Sequence, residues 1–439
     1  MSEPAFDIHQ LQNMDFIEEQ WEKWKDETDF SKFECVSDDE LKDAVVKDLS
    51  FVSNMGVQEY TLYQKWQEVQ RKYPTEESNL MGEKTLTDNR QHYLINDTKN
   101  KIWIPESPND FEKLKPVLEF TDDSASNSVG KRNKELSERW ATLRVFLSTM
   151  KNNSNIGRQL YFLVKDDTSG KYLGVICMSG DFMDLTARDS HIGWDRQEKT
   201  FGGKLNHTCI GSTIVPTQPL GYSYTGGKLL AYLCLSDVVQ NLWKEKYGCH
   251  LVGVTTTSLY GKAKANTLSQ YDGLKYWKRM GFSQGSVTYE PSAKTKSMIK
   301  GWLRKHHTRK YWEWYHALRK SGQPFKRDHK NRSYLFTFAK LGVDKKIISS
   351  EHNRGIYFAR LYENTNDFLC GKIKEEQLTR RFDNSVEVLG EMWKKKHASK
   401  RVKSLISRDA FSYDTHFYDD IVYLSWEETK QKYLKDVGR

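Results

Sequence analysis

Thr208-Cys-Ile-Gly-Ser-Thr-Ile-Val-Pro216, Tyr224-Thr-Gly-Gly-Lys-Leu-Leu230, His250-Leu-Val-Gly-Val-Thr-Thr-Thr257 and Tyr276-Trp-Lys-Arg-Met-Gly-Phe282 together decide the fold. The first run is β-branched and of strand length, and the second is a glycine turn feeding a helix. The third is another strand. The fourth, traced back to Gln270, has aromatic and apolar positions at helical spacing and reads as a helix ending in Gly281-Phe282. A glycine turn at a helix start exposes backbone N–H groups that have no helical partner, so it can hold an anion. Strand, turn, helix, strand, helix predicts an α+β domain built on a mixed sheet.

Upstream, Leu160–Val164 and Tyr172–Met178 alternate as the arms of a hairpin around the turn Asp166–Gly170. Before them Leu136–Met150 has helical spacing, with Trp140, Leu143, Val145, Phe146 and Leu147 available for an inward face. The first 75 residues read as amphipathic helices anchored by Trp21, Trp24 and Phe30. Ser37 followed by Asp38-Asp39-Glu40 is a helix start, and Pro74 stops the helix that begins at Tyr60. Residues 76–130 are polar and broken by Pro105, Pro108 and Pro116, as a linker or irregular excursion would be. The expected organisation is a helical subdomain over 1–75, that linker, a core domain over 131–290, and a basic, mainly helical region over 291–439.

No apolar run of 18 residues occurs and no charged-then-apolar leader opens the chain, so a soluble cytoplasmic protein without a membrane partner is expected. Six cysteines lie scattered with no Cys-x-x-Cys pair, against both a disulfide framework and a zinc ribbon. His306, His307 and His316 lack companion ligands at metal spacing, and no metal is expected. Between Pro291 and Arg332 there are thirteen lysines and arginines against two acids, a larger surplus than the +9 of the whole chain. Arg304, Lys305, Arg309, Lys310, Arg319 and Lys320 alternate there with Trp302, Tyr311, Trp312, Trp314 and Tyr315. Cations neutralise phosphates, and aromatics can stack on exposed bases at about 1–3 kcal/mol each. The tract is therefore the candidate nucleic-acid surface, DNA ahead of RNA. The helical period equally allows Ile299, Trp302 and Leu303 to pack inward while the cations face water.

The order of parts resembles the central half of the GNAT acyltransferase fold. Gln218-x-x-Gly221-x-Ser223 is similar to the turn that wraps the coenzyme A pyrophosphate there. Gln270-x-x-Gly273-x-x-Tyr276-Trp277-x-x-Met280-Gly281-Phe282 resembles the signature of that fold's later helix. The resemblance implies a GNAT-like mixed sheet flanked by helices and a donor such as acetyl-CoA or another CoA-like molecule. Ser212, Ile214, Gly226, Gly227 and Lys228 would hold it. Where that family carries a tyrosine acid this chain has Trp277, whose indole is no useful proton donor, and Tyr276 stands one place away.

Arg188, Asp189, His191 and Asp195 follow the hairpin within eight residues. Such a set can transfer protons or orient an anion, or it can be a charged loop held by a buried ion pair. Ala187-Arg188-Asp189-x-x-Ile192-Gly193-Trp194, with the Leu-Gly-Val-Ile hairpin before it, resembles the DruA-like proteins of the Druantia anti-phage defence system and of phage genomes. The similarity spans Gly157–Gly285. A looser similarity is to Mom-type phage enzymes, which modify adenine on an acetyltransferase-like fold. Two functions follow as expectations. One is a nucleic-acid-modifying transferase in which Arg188, Asp189, His191 and Tyr276 serve catalysis, in a bacterial cytoplasm or that of a phage host. The other is a non-catalytic DNA- or RNA-binding component of a phage or defence assembly.

Overall fold

The computed structural model describes residues 8–33, 36–72, 101–122, 133–147, 157–217, 224–259, 269–326, 329–407 and 425–437. The chain divides into two units, each assembled from separate stretches. One joins Met1–Gly56 to Gly285–His352, and the other joins Val57–Gln284 to Asn353–Arg439.

The larger unit is α+β and mostly antiparallel. Its strands are β1 (Pro116–Phe120), β2 (Gln159–Asp166), β3 (Tyr172–Gly180), β4 (Thr208–Pro216), β5 (Gly253–Ser258), β6 (Trp277–Phe282) and β9 (Gly355–Arg360). They form a seven-stranded sheet in the order β1-β2-β3-β4-β5-β9-β6. β2 and β3 make the predicted hairpin, with Asp166 closing the turn by accepting from the backbone N–H and hydroxyl of Ser169. β3 is buried from Tyr172 through Ser179, so both of its faces are covered. Trp140, on the Lys134–Leu147 helix, donates its indole N–H to the Ile176 carbonyl of that strand. The Gly227–Leu233 helix is buried from Leu229 to Leu233 and packs on β3 and β4.

β4 and β5 form the sheet's parallel pair, joined at only three rungs: Thr208 with Gly253, Cys209 with Val254, and Ile210 with Thr255. Beyond them β4 stays with β3 while β5 stays with β9, so the two strands part. An extra residue in β4, Ser212, makes a bulge just past the last rung and bends the strand there. The Thr256 hydroxyl, donating to the Gly211 carbonyl at 3.0 Å, ties the fork at its base.

The structure departs from the sequence reading at β1, which lies in the stretch expected as a linker, at β9, which lies in the region expected to be mainly helical, and at the run after Gln270. Trp277–Phe282 is a strand, and the preceding described residues from Gln270 form turns, so no helix ends in Gly281-Phe282. The segment gains its ladder from β9, with a bulge between Arg279 and Gly281 that the positive φ of Gly281 accommodates. Tertiary pairing with a strand more than seventy residues later overrides the local period. Gln218, Gly221 and Ser223 lie outside the described residues.

Among its described residues the smaller unit is mainly helical, with β7 (Ser286–Thr288) and β8 (Ser349–Glu351) pairing with each other. Ser37 caps the Asp38–Ser53 helix in a capping box with Glu40, and Asp38, Asp39 and Glu40 fill its first turn. In this unit Trp302 donates its indole N–H to Asp38 at 2.6 Å, and the Ser292 N–H donates to Asp48. In sequence, residues 285–352 lie between β6 and β9. None of the helices among the described residues is long and apolar enough to cross a membrane.

Candidate functional site

The glycine turn is where the sequence places it. Gly226 caps the Gly227–Leu233 helix at φ +70°, and an added Cβ at Gly227 would lie 1.6 Å from the side-chain oxygen of Gln270. In this arrangement the glutamine tip lies directly against the bare Cα of the turn. Cations gather beside it. Lys228 is held below its usual pKa by burial and then by Lys400. His397 falls to about 4, through burial first and then through Lys228, Lys396 and Lys400. Its imidazole is neutral at pH 7 and lies 3.3 Å from the Tyr232 hydroxyl. Arg401 donates to the Tyr224 carbonyl at the start of the turn. The turn therefore faces a positive wall that favours an anion.

At the fork, the Ser212 hydroxyl lies 2.8 Å from that of Ser179 and donates to the Cys177 carbonyl, while Ile214 is part of the core. One side of the opening is built by residues 269–272. Ser269 donates to Ser258, and the buried Tyr271, whose phenol burial pushes up, bonds Thr256.

Arg188, Asp189 and His191 share the Thr186–Ile192 helix, which packs on β6 and β9. Arg188 is fully buried. It pairs with Asp181 at 2.6 Å and with Asp189 at 2.6 Å, and it donates to the Phe182 carbonyl. Asp181 also accepts from the Thr255 hydroxyl, at the last rung of the parallel pair. Burial drives the Asp181 carboxyl above its usual pKa, against the pull of Arg188, Thr255 and Thr208. Asp189 spends one oxygen on Arg188 and the other on Lys199 at 2.8 Å. Lys199 also reaches Asp184 at 3.0 Å, and the two acids raise its pKa although burial opposes them. Chemically this network fixes the helix and leaves Asp189 with no idle oxygen.

His191 is the half-buried titratable group of that helix, held below its ordinary pKa by burial, then by Lys278 and Arg360. It is a neutral base at pH 7. Tyr276 is not with it. The Tyr276 ring stacks on Phe382 with centroids 3.7 Å apart and lies edge-on to Tyr232. Sequence reasoning missed Asp181, which follows the end of β3, and Lys199, in a π-helical turn, and it had Gln270 only as the start of a helix signature.

In the helical unit the predicted nucleic-acid residues split by exposure. Trp302, Tyr311, Trp312 and Trp314 are buried, so they are core and not stacking platforms. Arg309 is engaged by Glu18 and Glu313, and Arg304 lies 4.4 Å over the Phe33 ring. Lys305, Lys310, Arg319 and Lys320 are exposed. No cluster of three or more His, Cys, Asp or Glu able to hold a metal occurs among the described residues.

The profile of the family described as Druantia protein DruA matches residues 81–371. Over 145 residues the chain is 29% identical to the Druantia protein DruA of Escherichia coli (strain UMEA 4076-1), an alignment covering 30% of this chain and 35% of that protein. The chain thus matches about a third of the length of that curated relative. No solved structure matches.

Proposed function

The chain belongs to the DruA family, and from that membership we propose that it serves anti-phage defence as a nucleic-acid-directed group transferase on a GNAT-like sheet. The observation that carries this reading is the fork: a parallel pair that separates after three rungs, next to a glycine turn with a positive wall. The sheet order, with β9 between β5 and β6, and the β4 bulge at Ser212 favour the GNAT-like reading of the sheet.

For a CoA-like donor the point of entry is Gly227, whose bare Cα meets the Gln270 side chain, so the donor's anionic part would take the place of that amide. Gly226, Gly227 and Lys228 would hold the anionic part, and Ser212 would line the fork. Such a donor, when bound, supplies an activated thioester. His191, neutral at pH 7, would take the proton of the acceptor nitrogen. Arg188 and Asp189 position the helix that carries it. Tyr276, stacked on Phe382, serves as wall and not as acid. The exposed Lys305, Lys310, Arg319 and Lys320 would bind nucleic-acid phosphates.

Acetyl-CoA at 100 times its dissociation constant should stabilise the protein by about 2.7 kcal/mol. Nucleosides recovered from DNA or RNA incubated with protein and acetyl-CoA should carry an acyl mass increment that His191→Ala abolishes. Absence of both effects would eliminate the transferase. A second reading, a nucleic-acid-binding defence component without turnover, is favoured by Asp189 having both oxygens committed to cations. It predicts unmodified nucleosides together with salt-dependent binding.

A further inference from the structure

The segment from Val386 runs as a helix to Trp393, a π-helical turn over Lys394–Ala398, and a second helix over Ser399–Ile406. π-Helical turns forfeit regular helical bonding and are frequent at functional sites. This one borders a cavity of about 820 Å³, within the range of small-molecule sites. Lys394, Lys395 and Lys396 of the turn line it with Lys275 and Lys403, against Glu112 and Glu391. Glu391 is bonded to Lys394 at 2.6 Å, so the other four ammonium groups confront one carboxylate.

Apart from Ser399 the rest of the lining is apolar: Pro108, Phe111, Met392, Ala398 and Val402. Phe111 is 1% exposed and stacks on Trp393, which makes that floor rigid. An inorganic anion would use only the lysines, and a lipid tail or plain aromatic would use only the floor. A ligand that uses both carries several negative charges on a flat, weakly polar body.

We propose that this cavity binds a nucleoside bearing two or more phosphates, either free or as the 5′ end of a nucleic-acid strand. The base lies against Met392 and Val402, over the floor that Phe111 closes, and the phosphates reach Lys395, Lys396 and Lys403. The surplus of three positive charges around the cavity matches a di- or triphosphate better than a monophosphate. Lys396 belongs both to this cavity and to the positive wall of the glycine turn, and the proposal needs no group transfer at the fork.

Calorimetry on the full chain tests it with ATP, AMP and inorganic triphosphate as probes. ATP should bind saturably, and AMP and triphosphate should each bind at least about tenfold more weakly, the effect of losing one charge-assisted contact or the base. Lys395 and Lys403 are exposed, so Lys395→Ala/Lys403→Ala should keep the unfolding midpoint while weakening ATP at least about tenfold. Lys395→Gln alone provides a second, milder variant. A single-stranded oligonucleotide with a 5′-triphosphate that displaces ATP assigns the strand end as the ligand; failure to displace assigns the free nucleotide. No saturable ATP binding, equal binding of ATP and triphosphate, or affinity indifferent to both variants would overturn the proposal.

Discussion

Arg188 and Asp181 form an ion pair at 2.6 Å in which neither side chain has any exposure to solvent. Two charges taken fully out of water persist only while each neutralises the other. Asp189 and Thr255 complete the coordination, so the pair joins the Thr186–Ile192 helix to β5. Arg188→Met strands the Asp181 carboxyl, and unfolding in urea should show a loss of about 3–5 kcal/mol. Replacing both partners, Arg188→Met with Asp181→Leu, should recover much of that loss. Asp184→Asn, at the solvent-facing end of the network, should leave the midpoint nearly unchanged. A small effect of Arg188→Met would mean that the pair does not hold the helix in place.

His397 couples stability to pH. Its ordinary pKa is 6.5 and the fold lowers it to about 4, so the unfolded chain binds the extra proton first. Its contribution is complete above 6.5, declines as pH falls from there toward 4, and is flat below. His397→Gln should therefore reduce the loss of thermal stability between pH 7 and pH 4. His191, His207 and His250 are lowered as well and act in the same direction, so part of the slope should survive. A variant whose slope equals that of the parent would show that the imidazole is not buried among lysines.

The hairpin, the β4 run and the glycine turn were legible because each is local. Alternation marks β2 and β3, the Asp166 turn carries its own hydrogen bonds, and Gly226 needs a positive φ. What could not be read depends on distant partners. Trp277–Phe282 has helical spacing and becomes a strand only because Gly355–Arg360 lies beside it. The tryptophans of the basic tract looked available to bases until Trp21, Trp24 and Ile17 from the N-terminal helix cover Trp312. Arg188 and Asp189 were found, but their burial was set by Asp181 and Lys199, which no spacing rule connects to them. The lysine-lined cavity draws on residues near 110, 275 and 394, three stretches that carry no common motif.

Gly174 sits where β3 passes closest to its neighbours. An added Cβ would lie 2.5 Å from both a Leu230 methyl and the Val215 carbonyl, and 2.7 Å from the Pro216 Cα. Two of those atoms are backbone, so they cannot rotate aside as a side-chain tip would. Overpacking of this kind costs about 1–3 kcal/mol or more, and Gly174→Ala should fall at or beyond the upper end. Gly157→Ala is the contrast, since nothing lies within 4 Å of the added atom and only its φ of +100° opposes it. Comparable losses in the two variants would refute the close approach of β3 and β4 to the Gly227–Leu233 helix.

Lys305 and Lys310 are exposed, while Arg309 between them is drawn to Glu18 and Glu313. If this face meets nucleic acid, the exposed lysines release counterions and the paired arginine does not. The slope of log binding constant against log salt concentration measures this directly, at about 0.9 per phosphate contact on duplex DNA. Lys305→Ala/Lys310→Ala should lower the slope by about 1.8. Arg309→Ala should change it far less and act instead on stability, through lost packing over Trp21 and Trp312. Fluorescence anisotropy with a labelled duplex, titrated at several salt concentrations, separates the two. A slope untouched by the double substitution would move the nucleic-acid surface away from these helices, and a slope cut equally by Arg309→Ala would mean that Glu18 and Glu313 release the guanidinium when a phosphate arrives.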